Sequence, residues 1–114
     1  MNEETKEISW EDFSKVEMRV GTIVKAKNFP EAKRPAFILE IDFGDYGLKK
    51  SSAQITELYN LDDLEGRKVV AVVNFPPKQI ANFMSECLVL GAVDESRISL
   101  LGVDETAENG LRIA

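Results

Sequence analysis

The amino-acid sequence predicts an all-β fold, either an antiparallel barrel or a sandwich, with short helices at its periphery. Short β-branched segments alternate apolar and polar residues with the two-residue period of a strand, and turn-forming residues separate them. The pattern lacks the long helical segments that would have to join the strands of a parallel sheet. The 114 residues, 44% of them hydrophobic, are sufficient for one core, so residues 1–114 are predicted to form a single domain.

A short amphipathic helix is predicted near the N-terminus. Ser9 precedes Asp12 by three residues, which is a capping-box pattern, and Trp10, Phe13 and Val16 recur at the spacing of one helical face. A helix this short is marginal in isolation. We therefore expect its apolar face to pack on the same subunit or on a partner subunit.

The first half of the chain contains three predicted strands. The first covers residues 18–26, with Gly21 as a candidate bend, and a loop with two prolines follows at 28–35. The second covers 37–43 and has the cleanest two-residue period in the sequence. Glycine-containing turn residues then return the chain as a third strand at 48–53, which completes a hairpin.

The second half adds a strand that is apolar on both faces. Residues 67–75 are rich in valine and are predicted to be buried at the centre of the sheet, and two prolines end the strand. Before it, residues 56–64 form a short helical or irregular connection. Two further strands are predicted at 87–93 and 98–103, and an acidic loop leads from them to a terminal strand at 111–113.

The composition narrows the chemistry that the chain can perform. It has no histidine, which removes the commonest general base and the commonest metal ligand. Ser51 and Ser52 therefore have no imidazole to activate them, and the single cysteine, Cys87, lies beside Glu86 in an apolar strand, where burial should raise the thiol pKa. We expect no enzymatic activity, no metal and no cofactor.

Charge and hydropathy predict a cytoplasmic protein without membrane insertion. The longest apolar run, residues 69–73, is far too short to span a bilayer. Residues 1–12 carry five acidic residues and one basic residue, which is the wrong charge for a secretory signal. The net charge of −6 opposes indiscriminate binding of nucleic acid, but residues 13–93 carry eleven bases against ten acids, which leaves room for a local basic face.

Two long segments carry a family resemblance. Residues 29–56 read FPEAKRPAFILEIDFGDYGLKKSSAQIT, and residues 69–91 read VVAVVNFPPKQIANFMSECLVLG. Together with MRVGTIVKA near the N-terminus, these motifs resemble those of the CsaA family of export chaperones. CsaA in turn is similar to the tRNA-binding domains appended to some aminoacyl-tRNA synthetases.

The resemblance implies a more specific fold and function. The implied fold is a five-stranded Greek-key barrel of the oligonucleotide/oligosaccharide-binding (OB) type with short flanking helices, joined into a homodimer. The implied function is that of a cytoplasmic chaperone that holds unfolded polypeptides or preproteins for export without ATP. Neither the dimer nor the chaperone function follows from the periodicity of the sequence.

The first candidate site lies on the predicted third strand, where two lysines and several neutral polar side chains follow one another: Lys49, Lys50, Ser51, Ser52 and Gln54. Lysine supplies charge, and serine or glutamine supplies directed hydrogen bonds, so the mixture suits phosphate and sugar. Spacing alone favours an ordinary solvated strand face. The resemblance instead favours a face that binds peptide or tRNA.

The second candidate site follows the buried strand and consists of Asn74, Pro77, Lys78, Ser85 and Glu86. Loops that join barrel strands commonly carry the ligands of this fold. In the family this segment lies beside the SSAQ strand, in the ligand-facing region. We therefore expect the two candidate sites to form one surface.

Four apolar side chains surround the second site and are candidates for a client-binding surface: Phe75, Ile80, Phe83 and Met84. Exposed apolar area and flexible methionine suit the binding of many different partners. The same side chains could equally belong to the core or to a dimer contact.

Two functions from different classes follow from these patterns. The leading hypothesis is a homodimeric chaperone that binds unfolded polypeptides. The alternative is tRNA binding through Lys49, Lys50 and Lys78 with the neighbouring serine and glutamine side chains. The net charge of −6 favours the chaperone, whereas the barrel and the lysine pair favour RNA.

Overall fold

A computed structural model of the chain describes residues 5–114 and contains nine strands and one α-helix in that range. The helix is α1 (Trp10–Ser14), and the strands are β1 (Met18–Asn28), β2 (Phe37–Asp42), β3 (Leu48–Ala53), β4 (Lys68–Val72), β5 (Lys78–Ile80), β6 (Phe83–Ser85), β7 (Leu88–Val89), β8 (Gly91–Asp94) and β9 (Arg97–Leu100). Two single-turn 3-10 helices cover Gly44–Tyr46 and Leu61–Asp63. The predicted domain at 1–114 includes residues 1–4, which lie outside the described part.

Five of the strands form one antiparallel sheet in the order β3-β2-β1-β4-β7. The first three form a meander and β4 returns beside β1, which is a Greek-key connection. The sheet curls until its two edges meet, and the Ser51 hydroxyl on β3 donates to the Cys87 carbonyl, next to β7, at 3.0 Å. The hairpins β5–β6 and β8–β9 lie outside this sheet. The structure confirms the expected five-stranded OB-type barrel.

The core lies where the inward faces of the strands converge. On β2, Phe37, Leu39 and Ile41 are buried and alternate with partly exposed residues, as the two-residue period predicts. On β4, four consecutive residues are buried, which confirms burial on both faces. The prediction that this strand lies at the centre of the sheet is wrong. The central strand is β1, because its 11 residues are long enough to pair with both β2 and β4.

The bend in β1 occurs at a bulge and not at Gly21. The register with β2 shifts between Ile23 and Lys25, which moves the buried face of the strand to the other side. Gly21 has a different role. A Cβ atom there would lie 2.5 Å from Cγ2 of Ile41 and 2.8 Å from Cε1 of Phe43, so the position has no room for a side chain.

The second half of the chain differs most from the prediction. The segment 87–93 contains two strands, β7 and β8, which belong to different sheets. The segment around Pro76 and Pro77, predicted to be a loop, continues into the hairpin β5–β6. The C-terminal segment does pair with β1, as expected, through hydrogen bonds from the Val20 amide to the Leu111 carbonyl and from the Ile113 amide to the Met18 carbonyl.

The N-terminal segment is fastened to the barrel by side chains. The predicted capping box is present, because the Ser9 hydroxyl accepts from the Asp12 amide and the Asp12 carboxylate accepts from the Ser9 amide. The Asn74 amide group accepts from the Glu17 backbone and donates to the Lys15 carbonyl. No helix among the described residues is long and apolar enough to cross a membrane.

Candidate ligand-binding groove

A cavity of about 540 Å³, which we call the apolar groove, opens between the outer edge of β3 and the hairpin β5–β6. Nine of its residues are hydrophobic: Ala53, Ile55, Phe75, Pro76, Ile80, Cys87, Leu88, Val89 and Ile98. Its polar lining comes from Ser52, Gln54, Lys78, Ser85 and Glu86. Two of the five residues of the first predicted site and three of the five of the second therefore meet in one surface, and that surface is mainly apolar.

The hairpin β5–β6 forms one wall of the groove. Its strands pair Lys78 with Ser85 and Ile80 with Phe83, and Ala81 has a left-handed backbone conformation, with φ at 52°, in the tight turn. The Phe83 ring packs edge-on against Phe29, with centroids 5.5 Å apart. This contact fixes the hairpin against the barrel, so Phe83 serves as an anchor and does not line the groove.

The side chains of β3 divide between two faces. Lys49 and Ser51 pair with the buried residues Ile41 and Leu39 and point inward, whereas Lys50 and Ser52 point outward. The two lysines therefore do not share a face, contrary to the expectation of one polar surface. Ser51 is 1% exposed and its hydroxyl binds a backbone carbonyl within the fold, so we leave it out of the proposed ligand contacts.

Two polar side chains of the second site hold the groove together. The Ser85 hydroxyl accepts from the Ser52 amide at 3.1 Å, and the Glu86 carboxylate accepts from the Lys50 amide at 2.9 Å. The Glu86 amide donates in return to the Lys50 carbonyl at 2.7 Å. Ser85 and Glu86 thus take the place of a neighbouring strand along this part of β3.

Only some of the remaining predicted site residues line the groove. Lys78 lines the groove, but Pro77 does not, and the Asn74 side chain is engaged by the N-terminal segment. Phe75 is 55% exposed at the groove, which agrees with an apolar client surface. Met84 is also exposed, at 48%, but it lies outside the groove lining.

Seven apolar residues of the groove were not among the predicted site residues: Ala53, Ile55, Pro76, Cys87, Leu88, Val89 and Ile98. Of these, Leu88, Val89 and Ile98 come from strands whose boundaries the periodicity placed incorrectly. A residue can be assigned to a face only when the register of its strand is known. The exposed Leu88 beside the buried Cys87 was the available signal, since neighbouring residues on a strand point to opposite sides.

The apolar groove continues into a basic surface. A neighbouring cavity of about 380 Å³ shares Ser52, Gln54, Lys78 and Ile80 with it and is lined in addition by Glu31, Lys33 and Arg34. We call Lys33, Arg34 and Lys78 the basic arm. Three cations against one carboxylate give this cavity a positive lining, which is bounded at Arg34 by Glu57 and Glu95 in the adjoining cavity that Arg34 also lines.

Cys87 is the titratable group whose environment changes its chemistry most clearly. Burial raises the pKa of its thiol to about 11, and a hydrogen bond with Ser51 opposes this effect only in part. The direction agrees with the prediction, and the thiol is protonated at neutral pH. Within residues 5–114, no three cysteine or carboxylate side chains are grouped as metal ligands.

Residues 18–112 match the family described as "Putative tRNA binding domain". The solved structure of the chaperone CsaA of Bacillus anthracis has a TM-score of 0.91 and 49% identity and covers 96% of this chain and 100% of that one. CsaA of Picrophilus torridus has a TM-score of 0.89 and 52% identity and covers 95% and 100%. The methionine–tRNA ligase of Thermococcus kodakarensis is 31% identical over 106 residues, which span 93% of this chain but only 14% of the ligase.

Proposed function

The chain belongs to the CsaA family of tRNA-binding-domain proteins, and we propose that it is a non-catalytic, homodimeric chaperone that binds unfolded polypeptides or preproteins in the cytoplasm without ATP. The observation that carries the proposal is the apolar groove. Its nine hydrophobic residues include Phe75, whose ring is half exposed. A lining of this kind removes the apolar side chains of an unfolded client from water.

The groove is better suited to polypeptide than to the backbone of a nucleic acid. Phosphate recognition needs several cations that converge on the ligand, but Lys78 is the only basic residue in the groove lining. Aromatic and aliphatic side chains supply most of the remaining lining, and these give contact area without demanding a particular sequence. Such a surface fits a chaperone that must accept different clients.

The exposed apolar face at the N-terminus supports the homodimer. Ile8 is 68% exposed and Trp10 is 90% exposed, and Phe13 and Val16 on the same segment are also exposed. The segment is held to the barrel by Asn74, so these side chains project from a fixed position. A second copy of the chain would cover them and would supply the partner that a five-residue helix lacks.

The alternative function is tRNA binding, which the family membership and the basic residues favour. The basic arm, Ser52 and Gln54 line the cavity beside the groove, and Lys50 points outward from the same strand as Ser52. These groups suit phosphate contacts at the rim of the groove. One surface can thus present apolar area to a peptide and positive charge to RNA.

The chaperone proposal is tested by aggregation of a chemically denatured client after dilution. We expect suppression at a stoichiometric amount of dimer, and several-fold weaker suppression by Phe75→Ala, which removes apolar area from the groove. Leu48→Ala is the matched control, because Leu48 is 63% exposed but lies outside the groove. Absence of protection by the unaltered protein at several-fold excess would contradict the proposal.

A further inference from the structure

Only some of the backbone amides and carbonyls on the outer edge of β3 have hydrogen-bond partners within the fold. The amides of Lys50 and Ser52 point away from β2 and are bound by Glu86 and Ser85. Alternate residues of a strand direct their backbone groups to the same side. The Ser52 carbonyl and the Gln54 amide therefore also point outward, and neither has a hydrogen-bond partner in the part of the chain that the structure describes.

These two backbone groups open into the apolar groove. Ser52, Ala53 and Gln54 all line it, opposite the hairpin β5–β6 and the side chains of Phe75 and Leu88. The carbonyl of one residue and the amide of the second residue after it are the pair that an extended partner strand uses in a parallel ladder. A single residue of that strand, opposite Ala53, can donate to the Ser52 carbonyl and accept from the Gln54 amide.

We propose that the groove binds its client by strand addition: an extended polypeptide segment pairs with β3 through the Ser52 carbonyl and the Gln54 amide. The inference rests on the proposed chaperone function and specifies how that function recognises its ligand. Main-chain hydrogen bonds supply affinity that is independent of the client sequence, and alternate side chains of the client enter the apolar groove. A chaperone with many clients needs this combination.

Charge complementarity defines one end of the segment. The groove leads from its apolar walls into the basic arm, where Lys33, Arg34 and Lys78 face a single carboxylate, that of Glu31. An acidic side chain at the corresponding end of the client would meet opposite charge at that point. The preferred ligand is therefore an extended segment with apolar residues beside an acidic residue, and not a helix or a folded surface.

The test uses a set of nine-residue peptides with an apolar centre and one terminal aspartate, in which each backbone amide is methylated in turn. Methylation removes one N–H and leaves every side chain unchanged. Because only alternate residues of an added strand face β3, we expect binding to weaken roughly tenfold or more at some positions and to change little at their neighbours. Isothermal titration calorimetry or fluorescence anisotropy measures the affinities.

A matched pair of protein variants tests the second bond of the pair, which the Gln54 amide donates to a client carbonyl. Gln54→Pro removes the unpartnered amide, and a proline whose missing N–H faces outward is tolerated at a strand edge. Gln54→Ala removes the side chain and keeps the amide. Because both variants lack the glutamine side chain, the difference between them isolates the amide: we expect Gln54→Pro to bind the peptide about tenfold more weakly than Gln54→Ala does, with both variants checked for unchanged circular dichroism.

The outcomes separate this inference from the proposed function. A parent peptide that binds with no positional effect of methylation would overturn strand addition and leave the chaperone function intact. The same conclusion would follow if the Gln54 amide of the unaltered protein exchanged with deuterium equally fast with and without bound peptide. Failure of every peptide to bind, together with binding of tRNA, would overturn both the inference and the proposed function.

Discussion

The Cys87 thiol lies at the closure of the barrel, with its sulfur 3.8 Å from the Lys50 carbonyl. Burial raises its pKa from 9.0 to about 11, so the folded state favours the neutral thiol. The stabilisation is therefore complete below about pH 9 and is lost as the pH rises towards 11. The Cys87 thiol, where β3 meets β7, is therefore protonated at neutral pH, and the fold disfavours its ionisation.

We expect alkaline pH to destabilise the protein partly through this thiol. Between pH 8 and 10.5, the free energy of unfolding should fall by roughly 1–2 kcal/mol more in the unaltered protein than in Cys87→Ala. Urea unfolding at both pH values measures the difference. The lysines and tyrosines that titrate in this range are common to both proteins. Equal pH dependence of the two proteins would show that the thiol is not held neutral by the fold.

Individual residues show what the sequence could and could not predict. The capping box at Ser9 and the buried alternation at Leu39 and Ile41 were predictable, because each depends on residues that are close in sequence. The role of Asn74 was not, since its amide group binds backbone more than 50 residues away. The inward position of Ser51 depends in the same way on a bond to Cys87, which only closure of the barrel brings near.

The hairpin β5–β6 shows that a whole element can also depend on contacts between residues far apart in sequence, which local patterns do not predict. Its strands have only three residues each, which is too short for a two-residue period to be recognised. Tertiary contacts determine it instead: Phe83 packs on Phe29, and Ser85 and Glu86 bind the edge of β3. The sequence therefore indicated segments that meet at the groove but could not show that a hairpin turns them into a groove.

Helix α1 provides the prediction for the proposed dimer. Trp10 is the only tryptophan, and its side chain is 90% exposed in the single chain. If a second copy covers α1, Trp10→Ala should raise the dimer dissociation constant about tenfold or more, because buried tryptophans dominate interface energies. Sedimentation equilibrium measures the constant.

Glu11→Ala is the matched control, since Glu11 lies on the same helix and is also exposed. This variant should leave the dissociation constant within about threefold of the original value. A Trp10→Ala protein that dimerises as tightly as the unaltered chain would contradict the assignment of α1 to the interface. So would an unaltered protein that remains monomeric at every concentration.

The whole molecule combines an overall negative charge with one basic region. The net charge of −6 disfavours long-range attraction of nucleic acid, while the basic arm offers a short positive surface beside the apolar groove. Ten of the twenty acidic residues lie in residues 1–12 and 94–108, whereas residues 13–93 carry eleven basic residues against ten acidic ones. Peptide and tRNA would therefore meet overlapping surfaces but depend on different forces, hydrophobic contact in one case and charge in the other.

The most direct measurement is a titration of the protein with an apolar–acidic peptide and with tRNA, each alone and in competition, at roughly 50 and 150 mM salt. We expect the affinity for the peptide to fall only slightly at the higher salt concentration, because a single acidic side chain contacts the basic arm, and to fall with Phe75→Ala. The affinity for tRNA should be weaker at the higher salt concentration and show a shallower salt slope after Lys50→Ala with Lys78→Ala. Tight, salt-resistant binding of tRNA by a protein that binds no peptide would contradict a polypeptide-binding groove.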